Sequence, residues 1–377
     1  MGVRTVGVEE EMLLIDPATG MLRGVSAGIL RASTQAAGRP AAGRGAADRT
    51  EVQHELFLEQ IELASPPCQD LGELEIALRR GRRLLGEAAR AAGVAPVAVA
   101  TPVLPPPSQT VTPLRRYQEI FHDYGEIARE SLVCAMHVHV AVDSPEEAVG
   151  VIDRLRPWLP VVLALSANSP YWRGLDTGYA SWRSQIWGRW PSSGPAELFG
   201  DPQTYDAVAR QYIDAGAALD RGMLYFDARI SVDNPTVEIR VADVCTEVED
   251  AVLVAGLVRA LVETSARAWR RGECAASWRT DQLRIASWRA AKFGVADRLM
   301  HPLLPQVAPV ADVLACVADH VSDALHESGD TQAVLGGFER VLGSGNGAHR
   351  QRAAFEAGGE LMAVVHDLRR RTEESWT

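Results

Sequence analysis

Residues 3–15 read VRTVGVEEEMLLI, with three consecutive glutamates inside an apolar run. The aliphatic residues on either side favour a strand, and successive side chains of a strand point to opposite faces. Glu9 and Glu11 therefore share one face and Glu10 takes the other. Two carboxylates on one face of a core strand repel each other and lose hydration. A hard cation such as Mg2+, which takes oxygen ligands, relieves both costs. The alternative is a solvent-facing strand with only Glu10 turned inward.

Outward from this strand, Asp16-Pro17-Ala18-Thr19-Gly20 is a turn signal. Met21–Val25 reads as a returning strand, Ser26–Ala37 as a short helix and Gly38–Arg49 as a loop. Thr50–Ala64 reads as one long strand closed by Pro66-Pro67, followed by an amphipathic helix over Leu71–Ala92 and a buried strand over Val94–Ala100. The five prolines of Thr101–Pro113 make a loop. A helix over 114–130 and a strand over Val133–Val142 come next, then a helix over 145–167 broken near Pro157 and Pro160. Ser169–Pro202 has no sustained period but holds four of the nine tryptophans, which argues for a functional loop. Leu224–Val232 and Thr236–Asp243 read as strands joined by Asp233-Asn234-Pro235. Glu247–Arg271 is a long helix, with further helices at about 281–293, 307–327, 331–342 and 348–372. Strands and helices mix without a βαβ rhythm, so the expected class is α+β with an antiparallel sheet. No glycine-rich dinucleotide or P-loop motif occurs.

The chain has 377 residues and 49 acidic against 38 basic side chains, a net charge of −11. That balance argues against a nucleic-acid or anionic-membrane binder. The five cysteines, Cys68, Cys134, Cys245, Cys274 and Cys316, are widely spaced and odd in number. They fit free thiols in a reducing compartment better than a disulfide framework or zinc site. Acids near the start oppose a signal peptide, and no apolar run is long enough to span a membrane. The expectation is a cytoplasmic protein.

Three more segments carry chemistry. HELFLEQIELASPP, residues 54–67, brings Glu55, Glu59 and Glu62. On a flat strand Glu55 and Glu59 share a face and Glu62 lies opposite unless a bulge intervenes. The segment is either an exposed edge or part of a site. MHVHV, 136–140, places His137 and His139 on one face, a pattern that favours ligands. TVEIRV, 236–241, places Glu238 beside Arg240, either as a salt bridge on a solvated sheet or as a metal carboxylate beside a phosphate-binding guanidinium. Acids on at least three strands, a histidine and arginines together suit a face that holds two or three Mg2+ ions and a nucleotide triphosphate, which is phosphoryl transfer without a P-loop.

Together GVEEE (7–11), QIELASPP (60–67), MHVHV (136–140), DTGYASWRSQIWGRWPSSGP (176–195) and TVEIRVADVCTEVEDAV (236–252) resemble the carboxylate–amine ligases of the glutamate–cysteine ligase type 2 family. The resemblance runs to about Gly294 and continues into a more diffuse helical tail. It implies the catalytic fold of the glutamine synthetase and glutamate–cysteine ligase superfamily, a curved antiparallel sheet with helices on its outer face. It further implies one ligase domain over 1–377, helical from about 280, acting on small molecules.

The implied reaction is ATP-dependent amide formation through an acyl phosphate, with glutamate and cysteine as first substrates and Mg2+, or Mn2+ in its place, as cofactor. Glu9 and Glu11 match paired metal carboxylates, and Glu55 and Glu62 an acid pair seven apart, with Glu59 in reserve. His137 matches the nucleotide–metal imidazole, Glu238 a late-strand metal carboxylate and Arg240 the arginine that steadies the phosphoryl group. Arg183 falls in the substrate loop, where it either faces the pocket or pairs with a local acid such as Asp176. The rival readings are a metal-dependent amidohydrolase with His137 and His139 as ligands, and a non-catalytic nucleotide-binding protein on the same fold. The sequence leaves the oligomeric state open.

Overall fold

The computed structural model describes residues 2–36, 50–106 and 108–376; the loop read at Gly38–Arg49 lies outside them. The strands in chain order are β1 (Val6–Ile15), β2 (Glu51–His54), β3 (Gln60–Ala64), β4 (Ala95–Val97), β5 (Ala135–Ala141), β6 (Tyr171–Trp172), β7 (Leu175–Asp176), β8 (Ala228–Ile230), β9 (Thr236–Asp243), β10 (Arg298–Met300) and β11 (Val307–Pro309). The helices begin with α1 (Ser26–Ala36), α2 (Leu71–Ala91), α3 (Arg115–Tyr124), α4 (Glu126–Arg129), α5 (Pro145–Leu155), α6 (Leu159–Ser166) and α7 (Trp182–Trp187). They continue with α8 (Pro202–Asp214), α9 (Val248–Arg270), α10 (Thr280–Phe293), α11 (Val310–Ser328), α12 (Thr331–Ser344), α13 (Gly347–Gly358) and α14 (Leu361–Glu374).

The main sheet is antiparallel and runs β2-β3-β1-β5-β9-β8, with β4 also on β1. β1 is its spine. One edge of β1 meets β3, with Glu11 opposite Glu62. The other edge meets β5 with Glu9 opposite His137, then β4 with Leu14 opposite Pro96. Period-two alternation sends Val6, Val8, Met12 and Leu14 of β1 into the core with Glu10. α2 and α9 pack on each other and on β1, and α9 also reaches β5. α5, α11 and α12 pack in turn on α9. Asp70 starts α2 by accepting from the Glu73 backbone N–H at 2.8 Å.

Glu10 enters this layer as a charge. Its carboxylate meets Arg82 of α2 at 2.5 and 3.0 Å, and neither side chain is exposed. The guanidinium also donates to the carbonyls of Cys245 and Thr246 and to Ser375 Oγ, tying β1 to the segment after β9 and to the end of the chain.

Several elements differ from the sequence reading. Thr50–Ala64 is two strands folded back on each other, with Glu51 opposite Ala64 and a turn over 55–59. The turn is held by Phe57, which is fully buried edge-on against Phe121, and by the 110–112 segment, whose Thr110 carbonyl accepts from the Leu58 N–H at 2.8 Å. Met21–Val25 contributes one bridge, Leu22 to Ile15, not a strand. The helix read over 114–130 breaks at Gly125 and that over 348–372 at Gly358-Gly359; Gly125 and Gly359 have φ of 54° and 73°, which only glycine adopts easily. The β6–β7 and β10–β11 hairpins and α7 carry no signal that the sequence reading used.

No disulfide forms among the described residues: Cys68, Cys134 and Cys245 are buried, Cys316 is half-buried and Cys274 exposed. No helix of the described residues is long and apolar enough to cross a membrane.

Removing one partner of a buried ion pair leaves the other charge stranded, at a cost of about 3–5 kcal/mol. Arg82→Ala is therefore expected to lose about that much stability in urea titrations. A loss below ~1 kcal/mol would show that water reaches Glu10.

Candidate active site

The face of the sheet opposite α2 and α9 collects the polar positions of five strands. Glu11 lies across from Glu62, Glu9 from His137, and Glu238 from His139 on one side and Arg229 on the other. Glu55 joins them from the β2–β3 turn, because the hairpin brings both ends of the seven-residue spacing to one place. A cleft of ≈ 240 Å³ opens over Glu9, Glu11, Glu55, Glu62, His137 and Arg240, walled by Tyr117, Trp187, Trp190 and Tyr225. Glu59 stands elsewhere, its carboxylate accepting from the Thr110 backbone N–H at 3.0 and 3.1 Å.

The acids are under electrostatic strain. Burial, with the charge of Glu55 beside it, pushes Glu11 up to about 8, although its Oε2 accepts from the Ala135 N–H at 2.7 Å. Burial and then Glu9, Glu55 and Glu11 raise Glu62 well above the carboxylate range, and burial also raises Glu55. Glu9 goes the other way: against its burial, hydrogen bonds from His137 and His139 hold it low. Burial and then Arg240 bring His137 down to about 4, so its ring is neutral near pH 7. Its Nδ1 lies 3.1 Å from Glu9, while Nε2 is buried with no partner. Two ligand triads result, Glu9–His137–Glu238 and Glu11–Glu62–His137, each with its ligand atoms within 4.8 Å of one another. Like-charged carboxylates beside an unpartnered neutral imidazole nitrogen form a donor set that fits a divalent cation.

Glu238 is less free than the sequence reading had it. Arg229 reaches it at 2.7 and 3.1 Å, and Arg240 donates to the same carboxylate. Against burial these two arginines hold it down to about 2.

Beyond Arg240 lies a larger cleft, ≈ 720 Å³, lined on one side by α7 and the loop after it and on another by α10. Trp187, Trp190, Tyr225 and Arg240 line both clefts, so the two are continuous there. Arg183 belongs to this second cleft. Its guanidinium donates to the Arg240 carbonyl at 3.2 Å and to the Val241 carbonyl at 3.5 Å, and lies 3.9 Å from Asp243. Asp176 is not its partner; Arg352 takes that acid at 2.8 and 2.9 Å.

The sequence reading missed Asp243, Arg229 and Asp227. Asp243 reaches this face through a bulge: between the Met136–Ala242 and Val138–Ile239 pairs, β5 advances two residues while β9 advances three. Its carboxylate accepts from the Asn168 N–H and from Ser169 and Ser181 Oγ at 2.7–2.8 Å. Arg229 was legible only as the register partner of Glu238.

The fold is an antiparallel sheet backed by helices, and the sequence comparisons define the class: an ATP-dependent carboxylate–amine ligase of the glutamate–cysteine ligase-like kind. The sequence matches the profile "Glutamate-cysteine ligase family 2" over residues 5–367, and the chain belongs to that family. Among its relatives, "Putative glutamate--cysteine ligase 2-1" of a Nocardioides strain is 47% identical over 374 residues, covering 99% of this chain and 97% of the relative. "Putative glutamate--cysteine ligase 2" of Streptomyces coelicolor is 44% identical over 375 residues, covering 98% and 99%. In fold the chain is similar to the Francisella tularensis glutamate–cysteine ligase solved with AMP, with a TM-score of 0.70, 12% identity and coverage of 100% and 90%. It is similar also to a bifunctional glutathione synthetase of Pasteurella multocida, with a TM-score of 0.68, 14% identity and coverage of 99% and 52%.

Asp243 is the acid nearest the buried Arg183. Asp243→Ala is expected to lower unfolding stability by about 3–5 kcal/mol in urea titrations. A loss under ~1 kcal/mol would show that the backbone carbonyls alone satisfy Arg183.

Proposed function

We propose that the protein joins a glutamate-like carboxylate to the amine of cysteine or another amino compound, converting ATP to ADP and phosphate through an acyl phosphate. The reading rests on one observation above the rest: four carboxylates and an unpartnered imidazole nitrogen converge on a single cleft whose rim is Arg240. The relatives' names supply glutamate and cysteine as the first pair to test.

Glu9, Glu11, Glu55, Glu62 and His137 are the residues suited to hold Mg2+, as two or three ions, or Mn2+ in its place. Glu238 contributes through the lone pairs its two arginines leave. Bound there, Mg2+ offsets the charge of the triphosphate. Arg240 and His137 are the side chains that would meet the phosphates. Arg240 sits where the two clefts join, so a γ-phosphoryl group held there faces an acid substrate in the larger cleft. The acid attacks phosphorus through a carboxylate oxygen and ADP leaves. Glu238 keeps the Arg240 guanidinium fixed, so no reorganisation is needed as charge develops in the transition state. Arg183, buried at the floor of the larger cleft, supplies positive charge for the acid substrate. Trp187 and Trp190 keep water from the acyl phosphate.

Two outcomes follow. EDTA should abolish ADP formation from ATP, glutamate and cysteine, and Mg2+ or Mn2+ should restore it; full activity after exhaustive chelation contradicts the metal reading. Arg240→Ala should lower kcat at least ~10²-fold while ATP still binds. Arg240→Lys should recover part of that loss, because a point charge cannot copy the guanidinium fork. A kcat near wild type for Arg240→Ala reduces it to a partner of Glu238.

A further inference from the structure

Among the described residues, Asp227 is the only carboxylate that lines the larger cleft; the charged groups around it there are Arg183, Arg189, Arg240 and Arg284. Other acids on this part of the sheet are engaged: Glu238 by two arginines, Asp243 by two hydroxyls and a backbone N–H, Glu9 by His137. The Asp227 carboxylate takes part in no hydrogen bond or ion pair with any described residue. Its backbone, in contrast, is fixed on both sides. The Asp227 N–H donates to the Gly194 carbonyl at 3.1 Å, and the Asp227 carbonyl accepts from the Arg240 N–H at 3.0 Å. A free carboxylate is thus clamped next to the arginine assigned to the phosphoryl group, in the cleft where the second substrate must enter.

The chemistry lacks one group. An amino compound arrives at neutral pH as an ammonium ion, which has no lone pair with which to attack. Among the described residues lining this cleft, the other charged groups are all arginines and cannot take a proton.

We propose that Asp227 receives the incoming ammonium group and acts as the base that frees its lone pair. Asp227 takes one proton. The amine nitrogen then forms the C–N bond as the C–O bond to phosphate breaks, phosphate leaves with that electron pair, and the second proton goes with it. Burial, opposed by the charge of Arg183, sets Asp227 to about 7, between a carboxylate that stays ionised and one that cannot release its proton in the next cycle. The inference rests on the ligase reading, and the test separates the two.

Hydroxylamine also attacks acyl phosphates, giving a hydroxamate, but it is largely unprotonated at neutral pH and needs no base. Wild-type enzyme is assayed with ATP, Mg2+ and glutamate, once with cysteine and once with hydroxylamine. Asp227→Asn, similar in shape, should lose at least ~10²-fold in kcat with cysteine and stay within about threefold with hydroxylamine. Equal losses with both nucleophiles would overturn the proposal, since Asp227 would then serve activation of the acid or the fold. So would a change under about twofold with both. Asp227→Glu should regain part of the cysteine rate, and its failure together with a fall in Tm for both variants would mark the residue as structural. Hydroxamate formation by the wild type upholds the ligase reading even where the Asp227 assignment fails, whereas a wild type inactive with both nucleophiles overturns both.

Discussion

The Glu10–Arg82 ion pair, with both side chains fully buried, sets the phase of the whole sheet. A strand has two faces and no intermediate choice, so anchoring Glu10 beneath the sheet forces Glu9 and Glu11 above it. A slip of one residue would bury two carboxylates among aliphatic side chains and leave Arg82 without its acid. Such a pair adds little net stability compared with apolar residues of the same volume. Its use here is register: the same guanidinium binds the carbonyls of Cys245 and Thr246, so the exit of β9 is held relative to β1 by one side chain.

With that phase fixed, period-two reading locates most of the site. Glu9 and Glu11, His137 and His139, and Glu238 and Arg240 each lie two apart within a strand, and the face they share follows from that spacing. Glu55 and Glu62 do not obey it, because the chain reverses between them. The reversal depends on Phe57 docking against Phe121, about sixty residues away, a contact no local pattern encodes. Asp243 escapes for a related reason. Three residues from Arg240, parity assigns it to the core face, and only the extra residue of the bulge returns it to the open one. Asp227 and Arg229 fall within Leu224–Val232, read as one strand, of which only Ala228–Ile230 forms a strand with Asp227 in the bend before it; polar residues there carried no motif that set them apart.

Charge is distributed unevenly across the site. The smaller cleft holds four carboxylates beside Arg116, Arg229 and Arg240, the larger one four arginines and the carboxylate of Asp227, with Arg240 at the junction. Under the proposed reading, a phosphoryl group held on the acid side would meet positive charge on the side facing a carboxylate substrate. Such an arrangement stabilises charge moving between the clefts, not charge resting in either.

Trp187 and Trp190 wall both clefts, and each has its indole Nε1–H buried without a partner. The same two chromophores thus border the proposed nucleotide side and the proposed amino-acid side. Ligands entering from either direction change the polarity around one shared pair of emitters. Of the nine tryptophans this pair is therefore expected to respond to a ligand in either cleft, and fluorescence changes from the two sides cannot be independent of each other.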